Sequence, residues 1–164
     1  MKKGALLLTI SLYIFVSILT FSFFVQNAVG GEPVLSKGQT VYVPIYSHII
    51  VGGGKRKIPF DLSINLSIRN TDPNNPITIA RVEYYDSHGD HVKDFITEPL
   101  IVRPMASKYF FISQSDTSGG WGANYIIKWE SEKEVNEPII ESITFGARGA
   151  HTISFVSRGK AIKE

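Results

Sequence analysis

The sequence predicts an all-β protein: an immunoglobulin-like antiparallel sandwich of about seven to nine strands, preceded by one N-terminal hydrophobic helix. Three observations carry this expectation. From Phe60 to Arg69 apolar and polar residues alternate without a break, the two-residue period of a strand with one wet face. Clusters of turn-forming residues recur roughly every 8–14 residues along the remainder. No stretch after residue 30 sustains a helical period.

The leader comes first. Lys2 and Lys3 precede an apolar run from Gly4 to Val25, 22 residues, and no charge follows until Glu32. Two readings stay open. A signal peptide has a basic start, an apolar centre and small residues at the cut, which Ala28-Val29-Gly30 supply. A membrane span needs about 20 apolar residues, and the run is long enough, which puts a retained anchor slightly ahead. Either way the lysines stay on the cytoplasmic side and everything after Glu32 crosses. The expected organisation is therefore a signal peptide or anchor over residues 1–30 and a single domain over 31–164. That domain lies outside the cytoplasm, in the periplasm or on the outer face of the membrane. It is held by residues 4–25 if they are not cleaved.

Charge and cysteine content narrow the function classes. The formal charge is +2, and Lys2 and Lys3 account for both charges, so the body is neutral. A body of zero net charge is not the basic domain that grips nucleic acid. The chain has no cysteine, which excludes disulfides, thiolate metal sites, cysteine nucleophiles and lipid attachment through an N-terminal cysteine. A domain of about 130 residues buries roughly two-thirds of its unfolded surface, enough to stand without disulfides.

The strands follow in order. Residues 40–51 read as one strand with Val41, Val43, Ile45, Ile49 and Val51 on one face and Tyr42, Tyr46 and His48 on the other. Pro44 marks it as an edge strand, because proline donates no ladder hydrogen bond. Phe60, Leu62, Ile64, Leu66 and Ile68 form the inner face of the next, and Asn70 to Pro76 a dense turn. Ile77 and Ile79 start a third strand whose apolar phase slips by one before Val82 and Tyr84, the signature of a bulge near Ala80-Arg81. Asp86-Ser87-His88-Gly89 reads as a hairpin turn, and Val92–Ile96 returns from it. Further strands are expected over 99–103, 107–114, 124–130, 139–146 and 151–157, with residues 130–137 as a solvated acidic loop.

Few motifs carry chemistry. Gly52-Gly53-Gly54-Lys55-Arg56-Lys57 resembles half of a phosphate loop, but Ile49 and Arg56 stand where glycine and Ser/Thr are needed. It reads as a hairpin tip with a basic rim. Asp86, His88 and Asp90 have the alternate spacing of a cation loop, and His91 follows. The glycine and distal glutamate of a calcium loop are missing, and a closed zinc site wants four ligands. These four are weak metal candidates, and no cofactor is expected. Asp116-Thr117-Ser118-Gly119-Gly120-Trp121-Gly122-Ala123-Asn124 is the least ordinary stretch. It lacks the Asp-Thr-Gly of an aspartic protease and the glycine spacing of a serine elbow. Three glycines around one tryptophan exceed what a plain turn needs. Asp116, Ser118, Trp121 and Asn124 are the candidate contacts for a ligand or partner, Trp121 as a stacking or pocket-filling group and the others as hydrogen-bonding groups.

Several segments together resemble a known family: Gly38-Gln39-Thr40-Val41-Tyr42-Val43-Pro44, Ser67-Ile68-Arg69-Asn70-Thr71-Asp72, Tyr84-Tyr85-Asp86 with Gly89, Asp116-Thr117-Ser118-Gly119-Gly120, Gly122-Ala123-Asn124 and Ser154-Phe155-Val156-Ser157-Arg158-Gly159. The chain resembles, over roughly residues 36–160, the domain of unknown function family numbered three-one-two-four, a family of exported bacterial proteins. The resemblance implies a bacterial envelope protein and supplies no activity and no catalytic residues. Many members resemble lipoproteins or secreted proteins, and this chain has no lipobox cysteine.

The function expected from these observations is that of a non-enzymatic binding module of the bacterial envelope, its partner an envelope protein or glycan. Two other readings are a hydrolase with a site near the Asp116–Asn124 loop, built from Asp116, Ser118 and a distant histidine, and a structural spacer.

Overall fold

The alternation along Phe60–Arg69 folds as its period dictates: Phe60, Leu62, Ile64, Leu66 and Ile68 are all buried, and the residues between them face outward. The computed structural model describes residues 34–163 apart from Gly54, so both readings of the leader lie outside the described residues. In chain order the strands are β1 (Leu35–Pro44), β2 (His48–Val51), β3 (Ile58–Asp61), β4 (Ser63–Arg69), β5 (Ile77–Tyr85), β6 (His91–Asp94), β7 (Leu100–Val102), β8 (Ser107–Ile112), β9 (Asn124–Asn136), β10 (Ile139–Arg148), β11 (His151–Arg158) and β12 (Lys160–Ile162). No helix occurs among the described residues, and all pairings are antiparallel. Twelve strands exceed the expected seven to nine because β2, β3, β6, β7 and β12 are pieces of three or four residues, below the resolution of turn spacing.

The strands form two main sheets and a hairpin. One sheet runs β12-β1-β9-β5, with β6 and β7 sharing the far edge of β5. The second runs β11-β10-β4-β8, and β2 pairs with β3 alone. The two inner faces share one core: Val41 and Val43 from β1, Ile64, Leu66 and Ile68 from β4, Val82 and Tyr84 from β5, and Tyr125, Ile127 and Trp129 from β9. Burying each such aliphatic side chain is worth about 1.5–3 kcal/mol, which is what a disulfide-free domain must rely on.

The bulge falls where the phase slip placed it: the β5–β9 register shifts between Ile79 and Arg81, so that Val82 and Tyr84 turn inward after Ile77 and Ile79. Gly89 takes the left-handed conformation (φ 87°) in the turn between β5 and β6. Gly159 is where one extended segment leaves the second sheet as β11 and enters the first as β12. A Cβ there would lie 2.6 Å from Val41 and 2.8 Å from the Ile140 carbonyl, so only glycine fits the crossing.

Three expectations are corrected. Residues 40–51 are not one strand: the chain breaks at Ile45–Ser47, because Ser47 is drawn out of the ladder into contacts with a distant loop. The segment bearing Pro44 is not at the sheet edge along its whole length, since β12 covers Thr40–Tyr42. Ile45 N–H bonds the Ala123 carbonyl on the β9 side, which leaves the donorless Pro44 nitrogen facing outward, just where β12 has ended. Residues 130–137 are not simply a loop: β9 continues to Asn136 because the buried Val135 pairs again with Ser36, while Lys37 alone opposes the charged stretch between.

Candidate functional site

The register collects the unusual loops at one end. β9 begins at Asn124 opposite Pro44 and Tyr85, the ends of β1 and β5. In the other sheet β4 begins, and β10 ends, at this same end. Ser47 ties the two sheets together there: its N–H donates to the Gly120 carbonyl and its own carbonyl accepts from Leu62 N–H. The chain enters β1 at the opposite end, where Leu35 pairs with Asn136.

The glycine loop is held by two serines. Ser87 donates to the Gly119 carbonyl from both its N–H (2.9 Å) and its hydroxyl (2.8 Å), and its Oγ accepts from Gly122 N–H. Ser47 does the same at the next carbonyl: N–H to Gly120 O at 3.1 Å and hydroxyl at 3.0 Å. Two of the three glycines follow from this path. Gly120 has φ 74°, and at Gly119 a Cβ would fall 2.0 Å from the Tyr84 hydroxyl. Gly122 has room: its nearest neighbour would be 3.6 Å away.

The four candidate contacts do not form one constellation. Asp116 and Ser118 satisfy each other, Ser118 donating from its N–H and, at 2.6 Å, its hydroxyl to Asp116 Oδ1, while Lys93 Nζ reaches Oδ2 at 3.1 Å. The Ser118 hydroxyl above all, against partial desolvation, holds the Asp116 carboxyl below its ordinary range. Asn124 opens β9, its backbone paired between Pro44 and Tyr85. Trp121 is the one large side chain of the four that projects, 48% exposed, with Tyr46 packed edge-on at 6.3 Å and Phe155 edge-on to Tyr46 at 5.4 Å.

Beside this loop the β2–β3 hairpin carries Lys55, Arg56 and Lys57, all exposed, next to a cleft of about 600 Å³ lined by Val51, Ile58, Phe60, His151 and Ile153. Arg148 closes one wall, its guanidinium 5.0 Å from the centre of the Phe60 ring and donating to the Pro59 carbonyl at 2.9 Å.

Comparison with known proteins decides the family. Residues 38–162 match the family described as protein of unknown function (DUF3124). The chain belongs to the DUF3124 family. No curated protein matches it. Among solved structures it is similar to the crystal structure of Thermotoga maritima 1070, at 15% identity over 74% of this chain and 92% of that one, with a TM-score of 0.43.

In this DUF3124 chain two of the four weak metal candidates, Asp86 and His91, have their side chains engaged elsewhere. Asp86 Oδ1 accepts from His88 N–H and Asp90 N–H, capping its own turn, and His91 Nε2 meets Asp94 at 2.9 Å. No group of three or more His, Asp or Glu is placed to hold an ion among the described residues. For a hydrolase, the Ser118 hydroxyl meets a carboxylate rather than a histidine. Ser47 Oγ lies 3.3 Å from His48 Nδ1, but Ser47 is wholly buried and bonded to Gly120. The sequence reading passed over Ser47 and Ser87. Ser47 had a signal: it is a polar residue in the inward phase of Val43, Ile45 and Ile49. Ser87 had none, because turn serines are ordinary.

Proposed function

We propose that this DUF3124 domain is a non-enzymatic binding module of the bacterial envelope. It presents the end that carries Trp121 and the basic hairpin to an envelope protein or glycan. We read its architecture as immunoglobulin-like: β4 and β8 pair in one sheet and β5 and β9 in the other, the alternation of a Greek-key sandwich, a fold that uses its end loops for recognition. One observation carries the proposal: a tryptophan, half exposed on a loop clamped by two serines, stands at the end opposite the chain entry. A clamped loop loses little entropy on binding, and an aromatic anchor on it is a usual hot spot. The basic rim of the neighbouring cleft adds long-range attraction for a partner of negative charge.

Fluorescence tests this directly. The chain has two tryptophans, and Trp129 is buried, so a binding signal at the exposed ring reports Trp121. Titration with envelope glycan and envelope protein fractions is expected to shift the emission of the wild type and not of Trp121→Phe. Trp121→Ala is expected to stay folded and lose the same fraction. A Trp121→Ala protein that retains its binding, at wild-type affinity, defeats the proposal.

A further inference from the structure

The outer face of the second sheet is not the wet face that one-sided sheets normally show. Tyr109 and Phe111 of β8, Ile139, Ile143 and Phe145 of β10 and Val156 of β11 point outward and are between 39% and 78% exposed. The register sets them in rows: Arg158, Glu141, Ser67 and Tyr109, then Val156, Ile143, Asn65 and Phe111, then Ser154, Phe145 and Ser63. The β4 column is small and polar at Ser63 and Asn65, a furrow between a ridge of large residues on β10 and an aromatic ridge on β8, and Arg69, its Nε donating to Ser67 Oγ at 3.1 Å, closes the furrow at one end. Large apolar side chains exposed together on one face, here as two ridges rimmed by polar residues, mark contact surfaces.

We propose that this face pairs with the same face of a second copy of the chain, across a two-fold axis that runs parallel to the strands between β4 and β10. That operation is the one the relief fits. It lays Ile143 and Phe145 of one copy into the partner's furrow at Asn65 and Ser63, large against small, as interdigitating sheets require. It sets Val156 on the partner's Phe111 and the Arg158 guanidinium on the face of the partner's Tyr109, a cation over a ring. Glu141 faces the partner's Ser67, whose hydroxyl already accepts from Arg69 Nε at 3.1 Å, so the carboxylate meets a guanidinium there, and the Arg69 stem lies toward the partner's Ile139. No charge meets a like charge, and each contact occurs twice, as an isologous interface demands. Four strands about 4.8 Å apart and four to five rows about 7 Å apart project to roughly 500 Å² per copy. Two copies reach about 1,000 Å² before side-chain relief is added, the lower bound for a specific interface. The surface is separate from the loop end that carries Trp121, so the dimer stands or falls independently of the binding role.

The absence of native cysteine makes the test clean. The full chain is made with a single Asn65→Cys or, on the other sheet, Glu130→Cys, and treated in the producing cells with a short bis-maleimide. Sheets about 10 Å apart place the two Asn65 positions on the order of 11 Å from each other. Asn65→Cys is expected to yield a covalent homodimer and Glu130→Cys none. Adding Phe111→Asp, or separately Val156→Asp, is expected to lower that yield at least about tenfold, because each buries a carboxylate against an apolar partner. Circular dichroism of the purified variants verifies the fold, and either variant suffices if the other fails to fold. Equal yields from Asn65→Cys and Glu130→Cys, an adduct of Asn65→Cys with a different protein, or a dimer untouched by a folded Asp variant would each overturn the proposal.

Discussion

Gly119→Ala tests the clamped loop most sharply. The added methyl would lie 2.0 Å from the Tyr84 hydroxyl, 2.6 Å from its Cζ and 2.6 Å from Ala123 Cβ. Tyr84 is fully buried and packs on Tyr125 at 5.9 Å and Phe95 at 6.5 Å, so its ring has nowhere to go without overpacking, at about 1–3 kcal/mol. The loop can lift instead, and then the two Ser87 bonds to the Gly119 carbonyl are lost, at roughly 0.5–1.5 kcal/mol each. Both routes lead to about 2 kcal/mol. With a urea slope of about 1–3 kcal/mol/M, the unfolding midpoint falls by about 1 M. Two controls isolate the cause. Gly122→Ala, whose methyl has 3.6 Å of room, is expected to stay within about 0.5 kcal/mol of wild type. Tyr84→Phe removes the atom nearest the methyl, so the double variant is expected to recover at least about 0.5 kcal/mol beyond additivity. Urea titration of the wild type and these four variants measures all of this. A Gly119→Ala protein as stable as Gly122→Ala, or strict additivity with Tyr84→Phe, would refute the clamp.

Two more outcomes follow from the framework. Ile64→Ala is expected to cost about 2–5 kcal/mol, as deletion of a wholly buried aliphatic side chain does, while Ser63→Ala and Asn65→Ala on the outer face cost far less; a reversed order in urea would mean the β4 register is wrong by one residue. At the other end of the sandwich Asp72 accepts from Asn74 N–H and Asn75 N–H, which above all hold its carboxyl below the ordinary value; it also accepts from Asn136 N–H. A depressed folded value means stability that is present above the ordinary aspartate range and lost as pH falls through the folded value, so Asp72→Asn is expected to flatten the acid limb of a stability–pH profile; an unchanged limb would show that Asp72 is not linked to folding.

Periodicity alone specified the fold class, because inward and outward positions alternate along a strand whatever it pairs with. Leu62, Ile64, Leu66 and Ile68, the slip that marks the bulge at Ile79–Arg81, and Gly89 in its turn were all legible for that reason. The family was legible too, since its segments are local strings of residues. Tertiary structure decided what depended on partners far along the chain. Val135 looked like part of an acidic loop until Ser36 paired with it, and Ser47 looked like a strand residue until Gly120 drew it out. Asp116 and Ser118 looked like free hydrogen-bonding groups, yet their proximity lets them satisfy each other and leaves Trp121 as the projecting group. The apolar outer face is the clearest case: Tyr109, Phe111, Ile143, Phe145 and Val156 come from three strands, and only the order β11-β10-β4-β8 sets them side by side, because a sheet brings together residues that no local pattern joins.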